Sequence, residues 1–308
     1  MGKIAFVFPG QGAQAVGMAK DAYESSTKSA DIFHRADAAV GFALSELIFD
    51  GPDDELKITY NTQPALLTAS IALLEAFREK GVQPDFVAGH SLGEYSALVA
   101  AGVLDFEDAV RTVRARGEYM EQAVPRGQGG MAAVLGADRQ VLADFCVDLS
   151  SHVGLVELAN INCPGQIVIS GSREGIQAAV ERGKEAGAKR VIPLEVSGPF
   201  HSSLMQPAAG RLRDNLSVLP MATAQVPVIA NVTAEPVTDS NDIRRLLEEQ
   251  VYSPVLWEDT ILRLIQEGVD TFIEIGSGSV LSGLIKKIDR NVRTFTINSM
   301  EAIQSFSL

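Results

Sequence analysis

The 308-residue chain is poor in cysteine, tryptophan, histidine and positive charge. Its two cysteines, Cys146 and Cys163, are too few for a disulfide scaffold and lack metal-ligand spacing, which fits a reducing compartment. Lysine and arginine number 26 against 39 acidic residues, leaving a formal net charge of −13. That balance argues against broad binding of nucleic acid or of an anionic membrane, since both recruit phosphates through a basic field. No uninterrupted apolar run is long enough to span a bilayer. Residues 4–8, IAFVF, read as a strand, and the residues before them have neither the charge nor the apolar length of a secretory signal. The start MGKIAF also lacks the Ser or Thr that a myristoylation signal needs at its sixth position. A cytoplasmic location is the resulting expectation.

What is present is the composition of a globular protein, 46 % hydrophobic and 21 % charged. The length suits one large domain with a smaller one. Short β-branched runs alternate with helical patterns: IAFVF, a helical region to about residue 80, DFVAG, a helix to Gly102 and another over Phe106 to Ala123. This rhythm predicts a mainly parallel sheet covered on both faces. After the flexible segment RGQGG at 126–130 the rhythm changes. Residues 131–197 read as strand, helix, two strands joined by the CPG turn, helix and strand, a ferredoxin-like βαββαβ order. The expected division is therefore a catalytic core, 1–126 and 198–308, interrupted by an inserted subdomain, 127–197. In the second part of the core the pattern gives a helix over 202–217, a strand VPVIANV, helices over 240–250 and 254–268, a strand TFIEIG and a last helix near 280–288.

The segment GHSLG, Gly89 to Gly93, sits between a short apolar run and a helical pattern. GxSxG in that context is the signature of a nucleophile elbow: small flanks permit a tight strained turn, and the helix N-terminus supplies amide donors beside an exposed hydroxyl. A plain turn with an N-cap serine is the alternative. A hydroxyl needs a base within hydrogen-bond reach, and there are four histidines. His34 lies in a helical pattern and reads as a surface or satisfied helix residue, and His152 as a loop residue. His90 adjoins Ser91 but points to the opposite face of a strand, a supporting position. His201, in VSGPFHSSLM, falls at a strand-end loop where α/β sites assemble. For the oxyanion, the amide of Leu92 is one candidate donor and that of Gln11, in FPGQGAQ, a second. A tight βα turn equally accounts for that glycine-rich segment.

Taken together, FPGQGAQ, TQPALLTAS, AGHSLGEYSALVAAG, RARGEYMEQA, NINCPGQIVISG, GPFHSSLM, QVYSPVLWEDT and EIGSGSVLSGL, in that order and nearly end to end, resemble the malonyl-CoA:acyl-carrier-protein transacylase family of fatty acid synthesis. The resemblance implies a hydrolase-like α/β core with a ferredoxin-like insertion, Ser91 as the residue that carries the malonyl group and His201 as its base. It also implies that the main-chain carbonyl of Gln250 orients His201 in place of an aspartate. Gln11 and Leu92 match the oxyanion positions, Arg116 the arginine that pairs with the malonyl carboxylate, and Phe200 the malonyl-selecting form of its motif. Helix arginines ordinarily face solvent, the reading kept for Arg111 and Arg114. Cys163 departs from the family, where many members carry serine, and puts polar contacts at that turn in doubt. Asn160 and Asn162 read as turn residues that could line a cleft.

The partners implied are malonyl-CoA and acyl carrier protein, with no metal, no tightly bound cofactor, no nucleic acid and no membrane, and the chain is expected to be a monomer. Lys286 with Lys287, and Lys189 with Arg190, are candidate docking cations on an otherwise acidic surface. A serine thioesterase or hydrolase, an acyltransferase of a polyketide pathway and a non-catalytic docking subunit are the competing readings. They differ in whether water or a thiol takes the acyl group from Ser91, and in whether Ser91 is acylated at all.

Overall fold

In the computed structural model, which describes residues 2–308, the strands in chain order are β1 (Lys3–Phe8), β2 (Phe86–Gly89), β3 (Gly129–Leu135), β4 (Val156–Cys163), β5 (Gln166–Ser172), β6 (Arg190–Pro193), β7 (Val228–Ile229), β8 (Pro236–Val237), β9 (Val269–Ile275) and β10 (Arg293–Ile297). The alternation within β1 sets the architecture. Ala5 and Val7 join one core with Trp257, Ile261 and Leu264, whereas Phe6 and Phe8 join another with Leu66 and Phe77. A strand buried on both faces has no polar side, so it reads as one apolar run.

The first sheet has the order β10-β9-β1-β2-β7-β8, parallel at every pairing except β7 with β8. The helix Thr59–Phe77 lies in the core beside it. It is buried on nearly all sides, which is why its sequence lacks an amphipathic stripe. The second sheet, β4-β5-β3-β6, is antiparallel throughout. With the helices Arg139–His152 and Arg173–Arg182 it makes the ferredoxin-like βαββαβ unit. Val255 ties the two sheets together: its N–H donates to Ala159 O at 2.8 Å and its carbonyl accepts from Ile161 N at 2.9 Å.

Several boundaries differ from the sequence reading for identifiable reasons. The helical region before residue 80 is five α-helices, separated at Ser26, Gly41, Gly51-Pro52 and Lys57-Ile58. VPVIANV yields only Val228–Ile229 as strand, because Asn231 turns its backbone N–H to Glu94 instead of to a ladder. The helix expected from residue 254 begins at Trp257, since Val255 is engaged with β4. β6 ends at Pro193, and the helix expected over 202–217 is a 3-10 turn, Ser203–Met205, followed by Gln206–Val218. β10 and the helix Met300–Ser305 were not anticipated, although RTFTI carries the β-branched pattern of a strand. His152 is the last residue of a helix rather than a loop residue, with Nδ1 bonded to Asp148 O in the preceding turn.

Candidate active site

The elbow forms where β2 meets the helix Gly93–Ala100. Ser91 has φ 50°, in the left-handed region that β-carbon sterics disfavour. Its two flanking glycines are dictated by close approach. A β-carbon on Gly89 would stand 1.9 Å from Gly93 C, and one on Gly93 would stand 2.1 Å from Phe8 O. The strained serine is held from both sides of its own backbone. Its N–H donates to Asn231 Oδ1 at 2.7 Å, and its carbonyl accepts from Gln250 Nε2 at 3.0 Å.

His201 also has a positive φ, 58°, on the segment after β6. Its Nε2 lies 2.7 Å from Ser91 Oγ, and its Nδ1 lies 2.8 Å from the Gln250 main-chain carbonyl. A carbonyl can only accept, so Nδ1 carries the proton and Nε2 is free to take one from the serine. Burial, the nearby Arg116 charge and, less, His90 push the imidazole down to about 3, against hydrogen bonds to Gln250 and Ser253 that favour its protonated form. The imidazole is therefore neutral near pH 7.

Arg116 is 1 % exposed, far from the solvent-facing position of most helix arginines. Its Nη1 donates to Gln63 Oε1 at 2.7 Å, and its Nη2 to Gln250 Oε1 at 2.9 Å and to Ser91 Oγ at 3.2 Å. Its Nε has no acceptor among the described residues. Desolvation holds the guanidinium below its ordinary value, so the site contains a buried cation without a directly bonded anion. An incoming carboxylate could supply one through paired charge-assisted bonds.

Around these groups opens a cleft of about 230 Å³, lined by Gln11, Leu92, Met120, Val168, Phe200 and Leu281 among others. The amides of Gln11 and Leu92 donate to no other group among the described residues, which leaves them open to an oxyanion. Asn160 and Asn162 are buried in β4 and line the cleft, rather than forming a turn. Asn162 Oδ1 accepts from His90 Nε2 at 2.8 Å, and the His90 ring packs on Trp257, so His90 is tied to β4 and Trp257 rather than to Ser91 Oγ. Cys163 pairs with Gln166 across the β4–β5 turn and is buried.

His34 and Arg111 are on the surface. Arg114, expected to face solvent, is half-buried, bonded to Glu118 and Asn61 and stacked on Phe42 and Tyr60. The four candidate docking cations are exposed; Lys287 reaches Gln166, a lining residue, at 3.0 Å. Four participants escaped the sequence reading: Gln63, Glu94, Asn231 and the side chain of Gln250. Three carried a signal. Gln63 and Glu94 are polar residues inside otherwise apolar helices, and Asn231 breaks a strand-like run.

The acyl transferase domain profile matches residues 5–300. A malonyl CoA-acyl carrier protein transacylase of Bacillus subtilis is 56 % identical over 304 residues, 99 % of this chain and 96 % of that protein. The crystal structure of an acyl carrier protein S-malonyltransferase from Vibrio cholerae aligns with a TM-score of 0.95 at 43 % identity, covering 98 % of this chain and 99 % of that one. A type II PKS acyl-carrier protein in complex with its malonyl-transacylase provides another match, with a TM-score of 0.95 and 40 % identity over 98 % of both chains.

Proposed function

The chain belongs to the malonyl CoA-acyl carrier protein transacylase family, and from that premise we propose a division of labour among its buried polar residues. The enzyme is an acyltransferase that moves the malonyl group of malonyl-CoA to the phosphopantetheine thiol of acyl carrier protein. The observation that carries the residue assignment is the convergence on one oxygen: Ser91 Oγ lies 2.7 Å from a neutral imidazole nitrogen and 3.2 Å from a buried guanidinium.

In the first half-reaction Ser91 Oγ attacks the thioester carbonyl carbon while His201 Nε2 takes the hydroxyl proton. The amides of Gln11 and Leu92 hold the oxyanion. The C–S bond then breaks, and His201 returns the proton to the departing coenzyme A sulfur. In the second half the carrier thiol gives its proton to His201 and attacks the malonyl-serine ester; the C–Oγ bond breaks and Ser91 recovers the proton. Arg116 receives the free malonyl carboxylate, Phe200 bounds the acyl pocket, and the Gln250 carbonyl keeps Nδ1 protonated throughout. The core, 1–126 and 198–308, supplies the chemistry, and the inserted subdomain, 127–197, walls the cleft with Asn160 and Val168. No helix among the described residues is long and apolar enough to cross a membrane; the proposed setting is the cytoplasm, in fatty acid biosynthesis, with the chain as a monomer.

Incubation with holo-carrier protein and either malonyl- or acetyl-CoA, followed by weighing the intact carrier, tests this reading. Malonyl-carrier should accumulate and acetyl-carrier should not. Free malonate with an unmodified carrier would mean that water takes the acyl group, and the enzyme would then be acting as a thioesterase.

A further inference from the structure

Among the described residues only two carboxylates are buried, Glu94 and Glu274. Glu274 has a visible structural task, accepting from the Leu281 and Ser282 amides at the start of the Val280–Ile288 helix. Glu94, 2 % exposed in the first turn of the elbow helix, instead accepts from residues that hold Ser91. Its Oε2 accepts from Gln250 Nε2 at 2.8 Å and from Asn231 N at 3.1 Å. These are the two residues that clamp Ser91. Gln250 Nε2 also donates to Ser91 O, Asn231 Oδ1 accepts from Ser91 N, and Asn231 Nδ2 donates to Gly89 O at 2.7 Å.

We infer that Glu94 is the positioning residue of the site: its carboxylate fixes the Gln250 amide and the Asn231 backbone, and through them sets both the Ser91 elbow and the Arg116 guanidinium. An ionised carboxylate can only accept. It therefore draws the nitrogen end of the Gln250 amide to itself and leaves Oε1 facing Arg116 Nη2, where it accepts at 2.9 Å. With the amide reversed, two donors would meet at Arg116 and two acceptors at Glu94. The assignment rests on Ser91 being the nucleophile, the reading given above.

The charged and titratable groups facing Glu94 are Arg116 from the Phe106–Ala123 helix and Tyr95 from its own; His201 bonds Ser91 Oγ and His90 bonds Asn162. β2 and β7 bring none, Lys3 of β1 is at an exposed strand end, and the Thr59–Phe77 helix brings the neutral Gln63. Burial raises the Glu94 carboxyl to about 7, against the opposing pull of Gln250, Asn231 and Arg116. Protonation weakens the acceptor, so the clamp loosens as pH falls through that value. Burial and the Arg116 charge hold His201 lower, so a limb near about 7 that disappears in Glu94→Gln belongs to Glu94.

The test compares wild type, Glu94→Gln and Glu94→Ala by two readouts across about pH 5 to about pH 9. One is single-turnover release of coenzyme A from malonyl-CoA; the other is modification of Ser91 by a fluorophosphonate, which needs an activated serine but no malonyl group. Wild-type rates should rise about tenfold through about pH 7 by both readouts. Glu94→Gln keeps the shape and one acceptor but no charge. It should be flat over that range and near the wild-type low-pH plateau, with Glu94→Ala lower again. A wild-type inflection retained in Glu94→Gln, or equal rates at alkaline pH, overturns the inference even if Glu94→Ala fails to fold. Fluorophosphonate profiles as described with no reaction of malonyl-CoA would sink the acyl-donor reading and leave Glu94 in its role. A wild-type Ser91 inert to both reagents overturns both.

Discussion

Between the antiparallel sheet and its two helices the core consists of Ile161, Ile167, Ile169, Leu142, Leu149, Phe145 and similar apolar residues, with no carboxylate or guanidinium inside it. At the C-terminal ends of β1 and β2, by contrast, Arg116, Glu94, Gln63, Gln250, Asn231 and His201 are buried together. An apolar core stabilises a fold at no electrostatic cost. Buried charges and amides cost free energy unless each finds a partner, and here the partners surround Ser91, the proposed nucleophile. The two regions should therefore fail differently when altered, one through stability and the other through chemistry.

The largest expected effect is in the polar region. Ser91→Ala should abolish acylation, and His201→Ala should slow it by about 1,000-fold or more, since either change disables the nucleophile and base as a unit. The matching change in the apolar region, Ile169→Ala, should cost about 2–5 kcal/mol of stability and leave the single-turnover rate of the folded enzyme within about twofold. If both classes of variant lost activity in proportion to stability, the contrast would collapse.

Arg116 comes next. Two charge-assisted bonds to a carboxylate should favour malonyl over acetyl by about 1,000-fold. Specificity constants for the two thioesters should show Arg116→Ala losing most of that ratio, and Arg116→Lys failing to restore it because an ammonium lacks the planar fork. The same Arg116→Ala change should raise the depressed pKa of His201, since the guanidinium contributes to holding it down; the imidazole shift in an NMR titration would report it.

Stability against pH sharpens the comparison further. Glu94 is raised in the folded state from 4.5 to about 7, so its stabilising contribution is complete below about 4.5 and is lost as pH rises to about 7, a change of about 3 kcal/mol. Glu94→Gln should remove that loss and be more stable than wild type in urea titrations above about pH 7. His201 has the opposite sign. Its contribution is present above about 6.5 and is lost as pH falls toward about 3, so His201→Ala should flatten the acid side. A stability profile identical for all three proteins would contradict the buried-charge description.

The smallest effect concerns docking. Reversing Lys286 and Lys287 to glutamate should raise KM for the carrier several-fold, more at low salt, and leave acylation by malonyl-CoA unchanged. Equal effects on both half-reactions would place these lysines at the acyl site instead.

The sequence exposes the elements whose environment is simple. β1 announces itself because both its faces are apolar, GHSLG because only glycine fits beside Phe8 and within the elbow, and the ferredoxin-like order because each of its strands and helices is regularly patterned. Residue chemistry and position singled out Ser91, His201, Gln11 and Leu92, and resemblance added Arg116, Phe200 and Gln250; the structure gathers all but Gln250 around one cleft, with the Gln250 carbonyl behind His201. What stayed hidden depends on pairing between distant segments. Asn231 is 140 residues from the Ser91 amide it accepts from, and Gln250 is 156 from Glu94. Neither partnership leaves a local pattern. The shortened β7 and late-starting Trp257 helix have the same origin, in backbone groups diverted to Glu94 and to β4.

The central claim is that acyl transfer runs through Ser91 to a thiol. Rapid mixing with malonyl-CoA, quenching and peptide mass analysis should show one malonyl group on the Ser91 peptide, and a chase with holo-carrier protein should move that mass to the carrier faster than water removes it. A Ser91 peptide that never gains the malonyl mass while the carrier is still malonylated would contradict the account.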